Sequence, residues 1–592
     1  MRLKSILLAL FIPISIFAHT PDNPSIHDIV SNVLQTIKSE LSHKEVKNLD
    51  TETVLSILTA EQKEQLATQA LRFTIDEQSK IYIAARMGHS GPFWLEERGF
   101  TQTGDTLSSE RHDTFILWQK QMPKGTVNLG VNSLYGGGRH YIIFVPANTR
   151  VTDLYPASMR QVAADTSADL YVDREGSFDS LPALLKDTKI IQVPYDQREI
   201  GEIIGQLYVT PYPAGPEPDQ IMLSWSQNPQ TTQTVTWRTD TTITDASILY
   251  RKKSDLELFN PQPVRLKATT RRLQTDDIVN NPVIHRHTVT LTDLEPATRY
   301  EFSVGENSGQ YWSEMRTFTT APARTEPFSF LYMGDAQNGL ERWGSLVKTA
   351  VRKRPDVAFA LLAGDLVNRG AKRDDWDSFF ENGELLFSEK PLMPAIGNHE
   401  CQGGHPTLYL SLLNLPENGP SDIEKERVYY FRYSNALFVI LDSNLDPEPQ
   451  AKWLDQVLSE NSDAVWKFVM FHHPIYSSAK TRNNKELRET MVPVFDEHHV
   501  DLVLQGHDHA YLRTWPMHNN QPVKSTKEGT VYVVSVSGVK MYEQGDFDYT
   551  AVGFTKTSTF QVLDIWINGD QLIYRSYDSL ENMVDHFIIE KE

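Results

Sequence analysis

The sequence predicts a multidomain protein. Its C-terminal half reads as an α/β domain, preceded by an antiparallel β-sandwich and by an N-terminal region that is first helical and then β-rich. Three observations predict this. From about residue 325 to 592, apolar runs alternate with helical patterns: "FSFLYMGD", "VAFALLAGD", "LMPAIGNHE", "ALFVILDS", "WKFVMFHH", "VDLVLQGHDH" and "VYVVSVSG". Short continuous apolar runs of this kind suit strands buried on both faces. Between 212 and 322, short strand-like runs such as "QTVTWRT", "ASILYRK" and "RHTVTL" follow one another closely, as in a two-sheet sandwich. Between 76 and 210, "KIYIAARM", "TFILWQKQ", "TVNLGVN" and "HYIIFVPA" alternate with period two.

Each element can be justified in order. Residues 1–18, "MRLKSILLALFIPISIFA", have a basic start at Arg2 and Lys4, an apolar core and a small residue at Ala18. That is the pattern of a secretory signal peptide cleaved after Ala18. An uncleaved anchor is the alternative, but the apolar stretch is short for a span. The expected product is secreted or periplasmic, with no membrane span. Loss of Arg2 and Lys4 makes the formal charge of −20 two units more negative. Such a surface repels nucleic acid and anionic lipid at long range. It does not exclude an anionic substrate, because bound metal ions invert the field locally.

Residues 19–75 read as a pair of helices. Thr59 and Gln62 form a capping box, and Leu66, Ala70 and Phe73 recur at helical spacing. The β-rich stretch 76–210 reads as a sandwich without an assigned role. Contact with a glycan or cell wall and a purely structural part are both open for it. Within it, "LYGGGRH" lacks the Lys-Ser/Thr of a phosphate loop and reads as a Gly-rich turn. "PYPAGPEPDQ" (Pro211 to Gln220) reads as a linker. Cys401 is the only cysteine, so no intramolecular disulfide can form. A small packed side chain, a soft metal ligand and an intermolecular disulfide are its possible roles.

The chemistry lies at the ends of five apolar runs in the C-terminal half. They close on Asp335 in "GD", Asp365 in "GDLVNRG", Asn398 and His399 in "GNHE", His472 in "FHHP", and His507 and His509 in "GHDH". Ligands of open α/β sheets gather at the carboxyl ends of strands. The donors are carboxylate, amide oxygen and imidazole, a mixture that suits transition metals better than calcium. They are too many for one tetrahedral zinc with an open position, and they suit two metals sharing a carboxylate.

These blocks, in this order, resemble the calcineurin-like metallophosphoesterases and, within them, the purple acid phosphatases. "GHDHAYLR" and the helix-forming "QAKWLDQVL" (Gln450 to Leu458) add to the likeness. Upstream, Trp225, Trp237, Tyr250, "LTDLEPATRYEF" and "TFTT" resemble a fibronectin type III module over residues 212–322, as in the larger enzymes of that group. The resemblance implies an αββα sandwich of mixed sheets for 325–592. It implies that Asp335 and His509 hold a first metal, that Asn398, His472 and His507 hold a second, and that Asp365 bridges both. His473 falls at a variable family position and is left outside the metal sphere. The family carries Tyr three positions after the bridging Asp, and this chain has Asn368. Asn cannot supply the phenolate that stabilises Fe(III). The metals are therefore expected to be Mn, Zn or Fe, without strict iron dependence and without purple colour.

The activity so implied is hydrolysis of phosphate monoesters by a metal-bridging hydroxide, with Asp365 and His399 catalytic and His399 assisting the leaving group. Arg513 matches a family Arg and is expected in a structural salt bridge. Two other readings stand beside this one. The first is a phosphodiesterase acting on nucleotides or lipid head groups. The second is a surface or glycan-binding protein whose phosphatase domain is relict. The loop after Glu400, "CQGGHPTLYLSLLNLPENGPSDIEK", could bear on the first alternative by closing over the leaving group.

Overall fold

The computed structural model describes residues 24–591, apart from 87–90, 110–112, 136–138, 174–175, 255–260, 481 and 567–568. The expected leader and the glycines of "LYGGGRH" lie outside the described residues. The chain forms two compact units, one ending at Tyr208 and the other comprising Val209–Glu592. No helix among the described residues is long and apolar enough to cross a membrane.

The first unit begins with four short helices, Ile26–Glu40, His43–Lys47, Thr51–Ile57 and Ala60–Thr68, where the sequence reading expected a pair. The physical reason is a series of caps. The side chains of Ser42, Asp50 and Thr59 each accept a backbone N–H of the turn that follows, so each starts a new helix and separates it from the last. The Thr59–Gln62 capping box is present. The helical reading extended too far. Leu71–Ile75 is a strand, with Leu71, Phe73 and Ile75 buried and Arg72 and Thr74 turned outward. Period two won over the apparent helical spacing because the segment pairs on both edges, with Gly125–Leu129 and Val151–Tyr155. A seven-stranded antiparallel sheet containing Ser79–Arg86, Thr114–Met122 and Ile142–Pro146 completes the unit.

The second unit opens with two four-stranded antiparallel sheets between Asp219 and Thr319. Trp237, Ile248, Phe302 and Val304 fill the space between them. Trp225 does not belong to that core. It packs against Phe359, Phe431 and Tyr433 of the α/β portion, ring centroids 5.4–5.7 Å away.

The α/β portion is a sandwich of two mixed sheets with helices on both outer faces. In the first sheet the order is Leu392–Pro394, Phe359–Leu362, Phe328–Met333, Thr559–Trp566, Gln571–Asp578, Met583–Glu590. The first three strands are parallel and the rest antiparallel. The second sheet has a parallel centre, Ala436–Ile440, Trp466–Met470, Leu502–Gln505 and Val531–Val534, flanked by antiparallel edges. Alternation along these strands explains their unbroken apolar sequence. Phe438, Phe468 and Leu504 face the first sheet, whereas Val439, Val469 and Val503 face the outer helices Pro447–Glu460 and Lys485–Glu497. Phe330 and Phe359 of the first sheet meet Phe438 edge-on at 5.2 Å, and Phe438 stacks on Phe468 at 4.8 Å. "QAKWLDQVL" lies within the Pro447–Glu460 helix.

A buried ionic cluster ties the antiparallel sandwich to the α/β portion. Arg238 on the Gln233–Thr239 strand donates to Asp377 of the Arg373–Phe387 helix at 2.8 Å. Thr210 and Gln220 also donate to that carboxylate, at 2.8 and 3.0 Å. Both charged side chains are almost fully buried. Without Asp377, Arg238 keeps only its bridge to Asp219, and the buried Arg373, 3.5 Å from the Asp377 carboxylate, loses its ion pair; breaking a buried pair by removing one partner costs about 3–5 kcal/mol. Asp377→Ala is therefore expected to destabilise the second unit by about that amount, read from its urea unfolding midpoint, whereas the exposed Asp463→Ala should change it by less than about 1 kcal/mol.

Candidate metal centre

Both sheets of the α/β portion end at one place. Asp335, Asp365 and Asn398 lie just past three neighbouring parallel strands of the first sheet, and His472, His507 and His509 follow two parallel strands of the second. The turns that present them are tight. Asp335, Asp365, His507 and His509 all have left-handed backbones, with φ of 47°, 50°, 73° and 49°. Such conformations cost a non-glycine residue on the order of 1–3 kcal/mol each and gather at functional sites. Gly506 serves by close approach: a Cβ there would stand 2.6 Å from Asp335 Oδ2. Without one, the His507 N–H reaches that same oxygen at 2.7 Å.

The side chains converge in two groups that share one residue. Asp365, His472 and His507 bring ligand atoms within 4.8 Å of one another, and so do Asp335, Asp365 and His509. Asn398 Oδ1 lies 3.1 Å from His472 Nε2 and so joins the first group. All six residues expected as ligands from the sequence are thus brought together, with Asp365 common to both groups. His473 belongs to neither. Its Nδ1 lies 2.8 Å from the Ser443 hydroxyl, although its ring packs 4.3 Å from that of His507. Cys401 is also in neither. Its thiol, pushed up to about 12 by burial and the nearby Asp442 carboxylate, lies 3.9 Å from the Arg427 guanidinium. A small packed side chain is the role that fits.

The donor set suits metal ions. His472 Nδ1 donates to Ala363 O at 2.8 Å, and His509 Nδ1 to Lys540 O at 2.9 Å. In each, Nε2 is left facing the other donors, the arrangement by which a second hydrogen bond orients a metal-binding imidazole. His507 Nδ1 lies 3.1 Å from His472 Nε2, which is itself 3.2 Å from Asp365 Oδ1. Lone pairs held this close repel unless a cation or proton lies among them. Asp335 Oδ1 is buried without a hydrogen-bond partner among the described residues, an oxygen whose desolvation a cation would offset.

The electrostatics agree. Burial pushes Asp335 well above the usual carboxylate range, with the neighbouring Asp365 charge adding to it. Asp365 is also buried, but the His472 charge and hydrogen bond outweigh that and hold it at about 2. His472 in turn is raised to about 9, its burial outweighed by the Asp365 and Asp335 carboxylates. Burial and the adjacent His472 hold His507 far below its ordinary value, and burial with Lys540 beside it lowers His509 to about 3. The pocket therefore favours a positive charge among its carboxylates while keeping two imidazoles neutral, the state that metal binding requires.

Two residues that matter here carried no assigned role in the sequence reading. Glu400 is fully buried and accepts the N–H groups of Asp365, Leu366, Val367 and Gly397 at 2.8–3.2 Å. One carboxylate thus clamps the Asp365 turn to the Asn398 turn. Burial and the Asp365 charge push Glu400 up to about 7. Asp508, between the two histidines, accepts the Ser478 and Ala479 N–H groups and the Arg482 guanidinium. An acid inside a strand-end cluster was the available signal in both cases. Arg513 forms a two-point bridge with Asp585 at 2.7 and 3.0 Å, a structural pairing.

With this geometry in view, two family matches identify the second unit. Residues 328–511 match the calcineurin-like phosphoesterases, and residues 218–320 match the family described as "Purple acid Phosphatase, N-terminal domain". The chain thus carries a metallophosphoesterase domain; more particularly, a purple acid phosphatase N-terminal domain precedes it. An uncharacterized protein of Mycobacterium tuberculosis is 25% identical over 337 residues, covering 50% of this chain and 62% of that protein. Purple acid phosphatase 21 of Arabidopsis thaliana is 28% identical over 264 residues, covering 43% of this chain and 58% of that one. The match spans less than two thirds of the length of these relatives. In fold, the chain resembles purple acid phosphatase PPD1 of yellow lupin (Lupinus luteus) seeds, with a TM-score of 0.55 at 16% identity over 89% of this chain and 91% of that one.

Glu400→Gln places an NH₂ where two of the four backbone donors now find an oxygen. The Asp365 turn should loosen, and affinity for added Mn(II) should fall by about 10–100-fold, measured by equilibrium dialysis. Unchanged affinity would show that the clamp does not position the ligands.

Proposed function

We propose that this protein is an exported, metal-dependent phosphatase that hydrolyses phosphate monoesters. The observation that carries the reading is the pair of donor groups sharing Asp365, with His399 beside the shared carboxylate. Asp335, Asp365 and His509 would hold one cation, and Asp365, Asn398, His472 and His507 the other. When bound, the pair supplies Lewis acidity, stabilising charge on the phosphoryl oxygens and acidifying water.

The chain's own residues supply position and a proton. His399 N–H donates to Asp365 Oδ1 at 2.9 Å, which fixes the residue beside the shared ligand. Its Nδ1 donates to Asn368 O at 2.5 Å. In the imidazolium form the second proton therefore sits on Nε2, 3.9 Å from Asp365 Oδ2 and on the side of the metal groups. That proton is placed to neutralise a leaving alkoxide. Asn368 thus keeps one useful contact, through its carbonyl, although it lacks the family phenolate. Asn368 also lines, with Asn338, Glu341 and Asp375, an open cavity of about 480 Å³.

The middle of the loop after Glu400 is packed inward. Leu408, Tyr409, Leu412 and Leu415 are buried in the core, and Ser224 of the antiparallel sandwich donates to Asn414 O. Gln402 reaches back, its Nε2 lying 2.9 Å from His399 Nδ1. Export rests on the leader pattern of residues 1–18, and N-terminal sequencing of the product should begin at His19.

The deciding experiment compares initial rates on an aryl phosphomonoester and the matching diester, with protein loaded separately with Mn, Zn or Fe. The monoester is expected to turn over faster; a diester preference would move the substrate class, and no turnover on either would oppose the enzymatic reading. Asp365→Ala should lose bound metal and activity together. His399→Ala should retain metal and slow poor leaving groups about 10²–10⁴-fold, more than good ones. An equal loss across leaving groups would remove its role as acid.

A further inference from the structure

The three-stranded sheet of the first unit buries one face and exposes the other. Its central strand, Leu71–Ile75, turns Arg72 and Thr74 outward, and Gly125–Leu129 turns out Thr126 and Asn128. On Val151–Tyr155, Thr152 and Tyr155 are both exposed although they are three residues apart, where strict alternation would send one of them inward. A bulge accounts for this. The register slips between Arg72 and Thr74, and Asp153 has a left-handed backbone with φ 54°. The slip sets Tyr155 opposite Arg72. Asn128, Arg72 and Tyr155 therefore form one row across the three strands, and Thr126, Thr74 and Thr152 form a second row beside it.

The first row lines an open cavity of about 370 Å³ together with Thr68 and Gln69. Tyr155 keeps 53% of its surface exposed, and the Arg72 guanidinium lies 5.5 Å from the centre of its ring. Among the described residues Arg72 has no hydrogen-bond or ion-pair partner, and the side-chain amides of Gln69 and Asn128 have none either. No carboxylate of the described residues lines the cavity. Asp153, on the adjoining bulge, accepts the Thr152 hydroxyl at 3.0 Å. The one charge in the cavity is thus a guanidinium without a counter-ion, on a chain of formal charge −20.

These groups define a ligand. A guanidinium selects an anion, and its planar fork matches the two oxygens of a carboxylate. An exposed aromatic ring offers an apolar face to the C–H side of a sugar. Carboxamides beside it serve hydroxyl groups as donor and acceptor at once. Free phosphate or a simple carboxylate would use the guanidinium and leave the ring and both amides without a part, whereas a sugar acid uses all of them. The threonine row continues the hydroxyl-bearing surface about 7 Å further along the strands, so a chain of such sugars is accommodated.

We propose that the Asn128–Arg72–Tyr155 row is a binding site for an acidic saccharide, with a uronate carboxylate on Arg72 and the sugar ring against the exposed side of Tyr155. The site belongs to the first unit and does not rest on the metallophosphoesterase reading.

The test uses the full mature chain and titration calorimetry with tetragalacturonate and with its fully methyl-esterified form, which keeps the rings and removes the charge. The acid should bind saturably, and the ester about tenfold or more weakly. Arg72→Gln and Tyr155→Ala should each weaken binding of the acid by about tenfold or more. Lys80→Gln, which removes an exposed cation from the other sheet, should leave it unchanged. Thermal unfolding checks that the variants fold; should Tyr155→Ala fail, Asn128→Ala takes its place with the same expectation. If tetragalacturonate gives no heat, a tetrasaccharide containing glucuronate is titrated in the same way, and absence of binding by both would overturn the proposal. So would equal affinity for acid and ester, or wild-type affinity in Arg72→Gln. Inorganic phosphate bound as tightly as the acid, with the same dependence on Arg72, would make this a simple anion site and overturn the saccharide assignment.

Discussion

The second unit is organised around the Asp365 carboxylate. It is almost fully buried and is shared by two groups of metal-binding side chains. A carboxylate in that position is costly unless charge and hydrogen bonds surround it. His472 lies at 3.2 Å, the Gln337 amide at 2.8 Å and the His399 N–H at 2.9 Å. Glu400 secures the backbone that carries it. Three buried acids, Asp335, Asp365 and Glu400, therefore stand in one small region of a negatively charged protein. The arrangement is reasonable only as the receptor for positive charge, which explains why so much local strain is concentrated there.

The two-sheet construction makes that receptor possible. One sheet supplies Asp335, Asp365 and Asn398, and the other supplies the three imidazoles. Neither could assemble the site alone. Their relative position is held by the Phe330–Phe359–Phe438–Phe468 stack in the core and by polar pins close to the site. Tyr332 OH accepts the Gln505 N–H at 2.8 Å, and Ser537 donates to Gly334 O at 2.6 Å. Gly334 and Gly506 admit this approach because a Cβ at either would stand within 2.4–2.6 Å of the opposing chain. Close packing of this kind transmits displacement directly to ligand geometry.

The antiparallel sandwich contributes through the core more than through the site. Trp225, read from the sequence as part of that module, is packed against Phe359 and Tyr433 of the α/β portion. Arg238 and Asp377 form the buried ionic tie between the two. The Leu408–Leu415 stretch is held on the same side by Arg286, which donates to Leu412 O, and by Ser224. That stretch is thereby used as structural contact between the sandwich and the α/β portion.

Much of this was legible from the residues. Each apolar run at 328, 359, 392, 436, 466, 502 and 531 is a strand, because a strand buried on both faces has no polar position to disguise it. The polar clusters that end these runs marked the candidate ligands for the same reason: a buried strand stops at an aspartate or histidine only where the chain turns towards something. Local pattern failed where tertiary pairing decided, as at Leu71–Ile75, whose helical spacing was overruled by neighbouring strands on both edges. It also gave Gln337 and Glu400 no role, since a glutamine or glutamate beside a ligand is unremarkable until its partners are known. The sequence by itself determined the order of elements and the chemical kind of each donor, because both follow from periodicity and side-chain identity. Only the tertiary structure decided which carboxylate is shared and which imidazole nitrogen faces inward, because those depend on distances between residues far apart in the chain.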